Sequence, residues 1–387
     1  MISIVPTKKH RISAVLFCMA LFLFPGSIFA QELHRDTQGV LKARVVEISS
    51  AYEEVLPGTE RVQTIQTIQA EILDGEKKGE VVEVINDYLV LKEGQVFYLN
   101  YLVPISGEEI YTVRDIDRLG GLLWVVIIFI LAVLLLGKKQ GVRSLLSLSL
   151  SLCAIVFLLL PLIRGGMSPV LASALVSACV LALALFFTHG VTMKSTLAFV
   201  STVSAVIFTT FLASFAIYIS HLSGFSSEEA VFLNFNTFGT LDFKGLLLGG
   251  IIIGILGVLD DIAITQVAVV YELARVAPNM SFRSLYMRAL RVGREHVSAL
   301  VNTLVLAYTG VSLPLLLLFS TSSASFVTII NQEVFATEIV RTLVGSVGLI
   351  ATVPLSTFLA CFWVTRYGVG ERDELEDDIS HGHIHSH

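Results

Sequence analysis

Two adjacent aspartates stand inside an apolar stretch, where carboxylates are expensive. Asp260 and Asp261 follow an unbroken apolar run from Leu246 to Leu259. On insertion scales an Asp at the centre of a membrane span costs about 2.5–3.5 kcal/mol. A purely structural pair would need a cation at the same depth. None of the predicted spans carries Lys or Arg in its interior, and His189, His221 and His296 fall at span ends. Either at least one carboxyl holds a proton, or the pair holds a cation. Both readings make Asp260 and Asp261 a candidate proton or ion relay; a hydrogen-bonding role in packing is the alternative. Consecutive helical residues point about 100° apart. One aspartate is therefore expected to face a polar bundle interior and the other a neighbouring helix.

Polar side chains at the same depth are the candidate neighbours. The pair lies about 16 Å from the inner end of its segment at 1.5 Å per residue. The same count on the other segments picks Ser204–Thr210, Tyr308, Thr309, Thr352, Ser356 and Thr357, with Asn302 and Thr303 nearer the cytoplasm. Hydroxyls in lipid often bond their own backbone, so each alone reads as structural. Gly249, Gly250, Gly254 and Gly257 precede the aspartates. Gly250 to Gly254 is a small-xxx-small spacing that lets helices approach closely. A hinge, or backbone access near the carboxyls, is the other reading. His381, His383, His385 and His387 alternate at the C-terminus, a pattern that could take a transition metal or simply be a solvated tail. Nothing in the sequence calls for a cofactor.

The elements that must position these residues are membrane helices. Of 387 residues, 54% are apolar and 15% charged, and mean hydropathy is +0.78, which leaves too little polar surface for a soluble fold. Basic residues cluster beside apolar runs instead of forming a soluble basic face, which excludes nucleic acid. Residues 1–30 have the order of a secretion signal, with Lys8, Lys9 and Arg11, an apolar run Ile12–Phe24, and Ala30 at a cleavage position. Residues 31–118 alternate charge with Val, Ile and Tyr. Five short strands are predicted there, Leu41–Ile48, Gln63–Leu73, Glu80–Ile85, Gln95–Tyr101 and Glu109–Val113, as a small extracytoplasmic all-β domain, an OB-like barrel. The segment 119–366 is expected to be a bundle of about seven transmembrane helices, near 120–137, 144–163, 169–188, 195–220, 245–271, 297–320 and 340–365. Residues 367–387 form an acidic, His-rich tail. Cys18, Cys153, Cys179 and Cys361 all fall in apolar runs, so no disulfide staples the β domain.

Charge sets the orientation. Lys138, Lys139, Arg143, Lys194, Arg275, Arg283, Arg288, Arg291 and Arg294 fall in alternate loops, while Glu228, Glu229, Asp242, Glu333 and Glu338 fall in the others, which also hold Arg164 and Lys244. By the positive-inside rule residues 31–118 are outside and the C-terminus is cytoplasmic. Within 276–295, Phe282, Leu285, Tyr286, Ala289 and Leu290 recur at helical spacing, which predicts an amphipathic helix on the inner membrane face. It reads as an interfacial anchor or, more actively, as a coupling element or anionic-lipid sensor.

The chain resembles the YibE/F family of bacterial membrane proteins. The resemblance rests on Tyr111-Thr112-Val113-Arg114-Asp115 closing the β domain, on Gly254-Ile255-Leu256-Gly257-Val258-Leu259-Asp260-Asp261, and on Arg294-Glu295-His296 leading to Asn302-Thr303. It implies a multi-pass inner-membrane protein and assigns no chemistry. The last three segments are also similar to the end of a resistance-nodulation-division or SecD/SecF half, which carries a glycine shortly before an acidic pair and a final helix ending like Phe362-Trp363-Val364-Thr365-Arg366. That similarity implies a proton-relay position for Asp260 and Asp261. Gly257 stands three residues before Asp260, not four, and Arg164–Pro169 replaces a large exoplasmic domain. Because one half is present, the similarity implies a homodimer.

Three functions follow as expectations. The first is a proton- or ion-coupled transporter or export component. The second is a non-transporting scaffold in the lipid bilayer whose β domain binds a partner or envelope component. An intramembrane aspartyl hydrolase needs two aspartates on different helices, and no second intramembrane Asp exists outside the pair. The chain is therefore expected not to be an enzyme.

Overall fold

A computed structural model describes residues 37–55, 58, 62–103 and 109–368. The predicted signal segment and the histidines at 381–387 lie outside the described residues. The chain divides into two compact units at Leu136/Gly137.

The first unit is built on β1 (Thr37–Val55), β2 (Val62–Ile72), β3 (Val81–Asn86), β4 (Val96–Val103) and β5 (Ile110–Ile116). All five predicted strands are present. The sheet is antiparallel throughout, in the order β3-β2-β1-β4-β5, and it curls so that its edge strands β3 and β5 approach each other. β1 is longer than expected because it serves both halves: Thr37–Arg44 pairs with β4, and Ala43–Val55 pairs with β2. Irregularities at Val45/Glu47 and Ile48/Ser50 bend it between the two. Alternate residues Leu41, Ala43, Val45, Ile68, Ala70, Ile72, Phe97 and Leu99 fill the interior. A buried Gln66–Asn86 hydrogen bond of 3.0 Å, with Gln66 also bonding both the N–H and the C=O of Leu91, pins the β3–β4 loop. Beyond Ala51 and Gln66 the β1–β2 hairpin continues as a two-stranded ribbon with exposed Tyr52, Val55 and Val62.

The helices are α1 (Leu119–Arg164), α2 (Pro169–His189), α3 (Met193–Ile219), α4 (Glu228–Asn236), α5 (Phe243–Val276), α6 (Phe282–Val311), α7 (Leu313–Ser320), α8 (Phe326–Ile330) and α9 (Glu333–Tyr367). Five are long and apolar enough to cross a membrane, and six if the bent pair α6–α7 counts as one crossing. The expected spans 120–137 and 144–163 lie in α1 as two helices joined at a kink, where Lys138 takes φ 45° and ψ −124°, a conformation an L-residue with a side chain rarely adopts. The expected 297–320 is redrawn. The amphipathic stretch does not form a separate surface helix: it is the first half of α6, whose Leu285, Ala289 and Gly293 are buried one turn apart. Pro314 ends that helix. It lacks an N–H and its ring clashes with the preceding turn, and α7 leaves at 64° to α6.

α5 is the hub of the second unit, packed against α2, α3, α6 and α9. Small residues make this possible. Gly249 abuts Ser173 of α2, Gly345 of α9 meets Ile255 of α5, and Gly348 of α9 abuts Thr209 of α3. At the end where α5 begins, the Glu333 carboxylate accepts hydrogen bonds from Ser223 N, Ser223 Oγ and Gly224 N at 2.6–2.7 Å, tying the loop after α3 to the first turn of α9.

Candidate functional site

Asp260 lies at the midpoint of α5, 17 residues after Phe243 and 16 before Val276. Its Oδ1 accepts a hydrogen bond from the Asp261 backbone N–H at 3.0 Å. Among the described residues no ion pair includes either carboxylate. Asp260 is half-buried and Asp261 is exposed.

The two side chains diverge as helix geometry requires. Ile255, Ile262 and Gln266 fall on the α5 face turned to α9, and Gly245 and Gly249 on the face turned to α2. At 100° per residue Asp260 falls beside the α2 face and Asp261 about 120° away from α9 on the other side. There Asp261 joins Gly250, Gly254, Gly257, Thr265 and Ala268 in one exposed stripe along α5. An added Cβ at Gly250 or Gly257 would meet nothing within 4 Å, while at Gly254 it would come 3.3 Å from the Tyr308 hydroxyl. The stripe is a shallow trough floored by backbone, between α2 and the second half of α6, with a carboxylate at its centre.

The sequence-predicted neighbours separate. Tyr308 flanks the trough, but at Gly254, six residues or about 9 Å from Asp260 along α5. α6 runs antiparallel to α5, so Asn302 and not Tyr308 comes level with Asp260. Asn302 is exposed about 120° round α6 from Tyr308, outside the trough. Thr309 is exposed and donates to Val305 O at 2.8 Å. Ser356 is fully buried on α9 and donates to Thr352 O at 2.7 Å. Thr352 and Thr209 likewise bond their own helices. Each of these four hydroxyls bonds the backbone of its own helix.

Two residues join the site that the sequence did not place beside the aspartates. His189, the last residue of α2, comes within electrostatic range of Asp261. Gly249 faces Ser173; Asp261 lies 12 residues beyond the first and His189 16 beyond the second. The imidazole is thus about one turn, or ~6 Å, past the carboxylate along parallel helices. Gln266 is the other. Buried at 4% exposure, its Nε2 donates to Ala289 O of α6 at 2.9 Å and to Thr357 Oγ1 of α9 at 2.8 Å. Gly293 leaves the space for it: an added Cβ would stand 2.5 Å from Val353 Cγ1 and 2.7 Å from Gln266 Oε1. A polar residue in the run Ile264-Thr265-Gln266-Val267 is the one signal that could have drawn notice.

At the Tyr308 end, a cleft of about 300 Å³ opens between α6, α7, α8 and α9, lined chiefly by Leu316, Phe319, Phe326 and Phe335, with Tyr308, Thr309, Ser312, Glu338 and Thr342 as polar groups. Glu338 pairs with Arg341 at 2.7 Å. No cluster of three or more His, Cys, Asp or Glu able to hold a metal occurs among the described residues.

Comparison with curated proteins and with solved structures finds no match. The family model for YibE/F-like protein does match, over residues 125–366. That span takes in α2 to α8, the aspartate trough, the Gln266 junction and all but the last residue of α9. The match covers more than half of the 387 residues, the Asp-bearing α5 among them, and the chain belongs to the YibE/F-like family.

Proposed function

We propose that the protein is a proton- or ion-coupled transporter or export component of the bacterial inner membrane, with Asp260 and Asp261 as the coupling site. One observation carries this: Asp261 sits exposed at mid-helix on a face of glycines, with no ion pair among the described residues. A membrane protein that keeps a carboxylate there needs a use for it. The trough supplies a track. Glycine backbone leaves room beside the carboxyl, His189 stands at one end and Tyr308 at the other. The similarity to a resistance-nodulation-division half supports the same role and supports a homodimer, in which a second copy covers the trough. Seven crossings fit the helix lengths, because α1 alone is 46 residues, about 69 Å, twice the hydrocarbon thickness. Seven crossings put the β unit outside and the C-terminus in the cytoplasm.

The test is flux. Protein reconstituted in liposomes with an internal pH dye is given a membrane potential or a sodium gradient. Wild type is expected to move protons or sodium above empty liposomes, and Asp261→Asn to lose most of that flux. Undiminished flux in the Asp260→Asn, Asp261→Asn double variant would end this reading.

The second reading is a scaffold whose β unit binds a partner, and the exposed β1–β2 ribbon favours it. The strand order β3-β2-β1-β4-β5 with β3 near β5 supports an OB-like barrel, a fold that binds through its sheet face and loops. No flux in wild type, together with capture of an envelope component that is lost on Tyr52→Ala, would favour this reading over the first.

A further inference from the structure

The second half of α6 turns the wrong face to lipid. Beyond Gly293 it packs on the bundle through Val297, Leu300, Val301 and Leu304. On the opposite side Val292, Glu295, Ala299, Asn302, Leu306 and Thr309 are all exposed. α3 shows what a lipid-facing surface looks like: it exposes Val200, Ile207, Phe208, Phe211 and Phe215. Past Val292 this face of α6 instead offers an acid, an alanine, an amide and a threonine around one leucine. Its spacing is regular. Successive positions from Val292 to Thr309 are 3, 4, 3, 4 and 3 residues apart, the 3.5-residue repeat of a seam that packs along another helix. At 100° per residue the six fall within an arc of about 100°, centred opposite the packed side.

Asn302 identifies what fits the seam. Thr303 and Thr309 beside it donate to their own helix, at Ala299 O (3.0 Å) and Val305 O (2.8 Å). The Asn302 amide makes no hydrogen bond among the described residues. It stands level with Asp260, and a free amide at that depth of a membrane crossing is expensive. An amide carries both donors and acceptors, so it is its own complement. Every copy of the chain inserts with the same orientation. A two-fold axis along the membrane normal therefore sets two α6 helices parallel, with each seam residue opposite its own copy. Two Asn302 amides then satisfy each other, and a single polar seam position of this kind fixes register and copy number. Ala299 and Thr309, both small, let the two backbones approach closely. Glu295 is the one seam residue that repels its own copy. Arg291, exposed one turn earlier and about 40° to its side, supplies the compensating charge.

We propose that a second copy of this chain docks on the Val292–Thr309 seam of α6, with the two Asn302 side chains hydrogen-bonded at its centre. The proposal rests on α6 crossing the membrane, as in the reading above, and is independent of proton or ion coupling. It gives the second copy a contact surface of its own, on the helix that walls the aspartate trough.

The test uses the full chain in native membrane vesicles, with its own cysteines replaced by alanine. Single cysteines are placed at Ala299 and Leu306 on the seam, at Ala307, exposed 100° round the helix from Leu306, and at Gly257 in the trough. A disulfide needs Cα atoms within about 7 Å. Mild oxidation is expected to join two copies through position 299 and through position 306. The yield there is expected to exceed that at 307 and at 257 at least about five-fold. In a second measurement, energy transfer between labelled copies is followed as the protein is diluted into phosphatidylcholine vesicles. Asn302→Val, at an exposed side chain, is expected to weaken association about three- to thirty-fold. Seam yields no higher than at 307, or a product joined to another protein, would overturn the proposal. So would a higher yield at 257, which would give the interface to the trough, or unchanged association in Asn302→Val. A reporter fused at Ser322 checks the crossing itself: it is expected to work outside, and activity in the cytoplasm would remove the ground the proposal stands on. Absent flux with seam crosslinks intact would sink the transporter reading alone.

Discussion

Replacing Asp261 by Asn removes a charge and keeps the volume. Because Asp261 is exposed and makes no ion pair among the described residues, the substitution is expected to change stability by no more than about 0.5 kcal/mol. A carboxylate in a broken buried pair would cost about 3–5 kcal/mol instead. Melting in detergent, measured beside flux, checks this: an unchanged melting temperature with lost flux is expected. His189→Gln should leave flux in place while shifting its pH profile, since it removes the nearby titrating base. The β unit holds a charged residue with a defined pH sign. Asp117 binds Lys42 at 2.6 Å and accepts from Leu119 N at 3.1 Å, and these contacts hold its carboxyl below its ordinary 3.8. A lowered carboxyl stabilises above its ordinary pKa and loses that contribution as pH falls through the lowered one. Asp117→Asn should therefore cost up to about 1 kcal/mol at pH 7 and nothing near pH 2, as urea titrations at the two pH values would show. The acid pair was legible in the sequence because no apolar run hides two carboxylates. His189 was not, because sequence counts depth along one helix and says nothing of the register between two.

Between helices, one amide makes the bonds that hold three elements together. Gln266 bonds two partner helices at once, so Gln266→Leu removes the side-chain bonds to Ala289 O and to Thr357. It should cost about 1–3 kcal/mol. Gly293→Ala crowds the same junction and should cost a similar amount. Gly257→Ala, facing open space, should be neutral or stabilising by about 0.5–1 kcal/mol, because it removes a flexible glycine from a helix interior. The order of the three detergent melting temperatures decides the matter. The elements themselves were largely legible: all five strands and the long apolar segments follow from period and composition. Their joints were not. A tertiary contact at Gly293 draws the amphipathic stretch into α6, and Pro314 sets the end of that helix three residues before itself, where an apolar run alone gave no boundary.

The division of the chain into two units makes an independent β unit the natural expectation for the molecule. Its interior is filled by its own strands, and Lys42–Asp117 closes β1 onto the short link between β5 and α1. Expressed as residues 31–118, it should give a β-type circular dichroism spectrum and melt cooperatively. A helical or random spectrum would show that it needs the membrane unit. Reporter fusions at 118 and 367 test the orientation: an enzyme active only outside the cytoplasm should work at the first position and fail at the second.

The uneven burial of α6 has a mechanical consequence. Leu285, Ala289 and Gly293 are buried, but from Arg294 to Val311 not one residue is. Gln266 clamps the helix where the two regimes meet. α6 is thus a lever with its fulcrum at Gly293, its short arm gripped between α5 and α9 and its long arm, carrying Asn302 and Tyr308, held more lightly through the partly buried Val297, Leu300, Val301 and Leu304. Amide exchange should be slow over 284–293 and faster over 298–311, and a graft that pins Tyr308 to Gly254 should stall the arm while leaving the fulcrum intact.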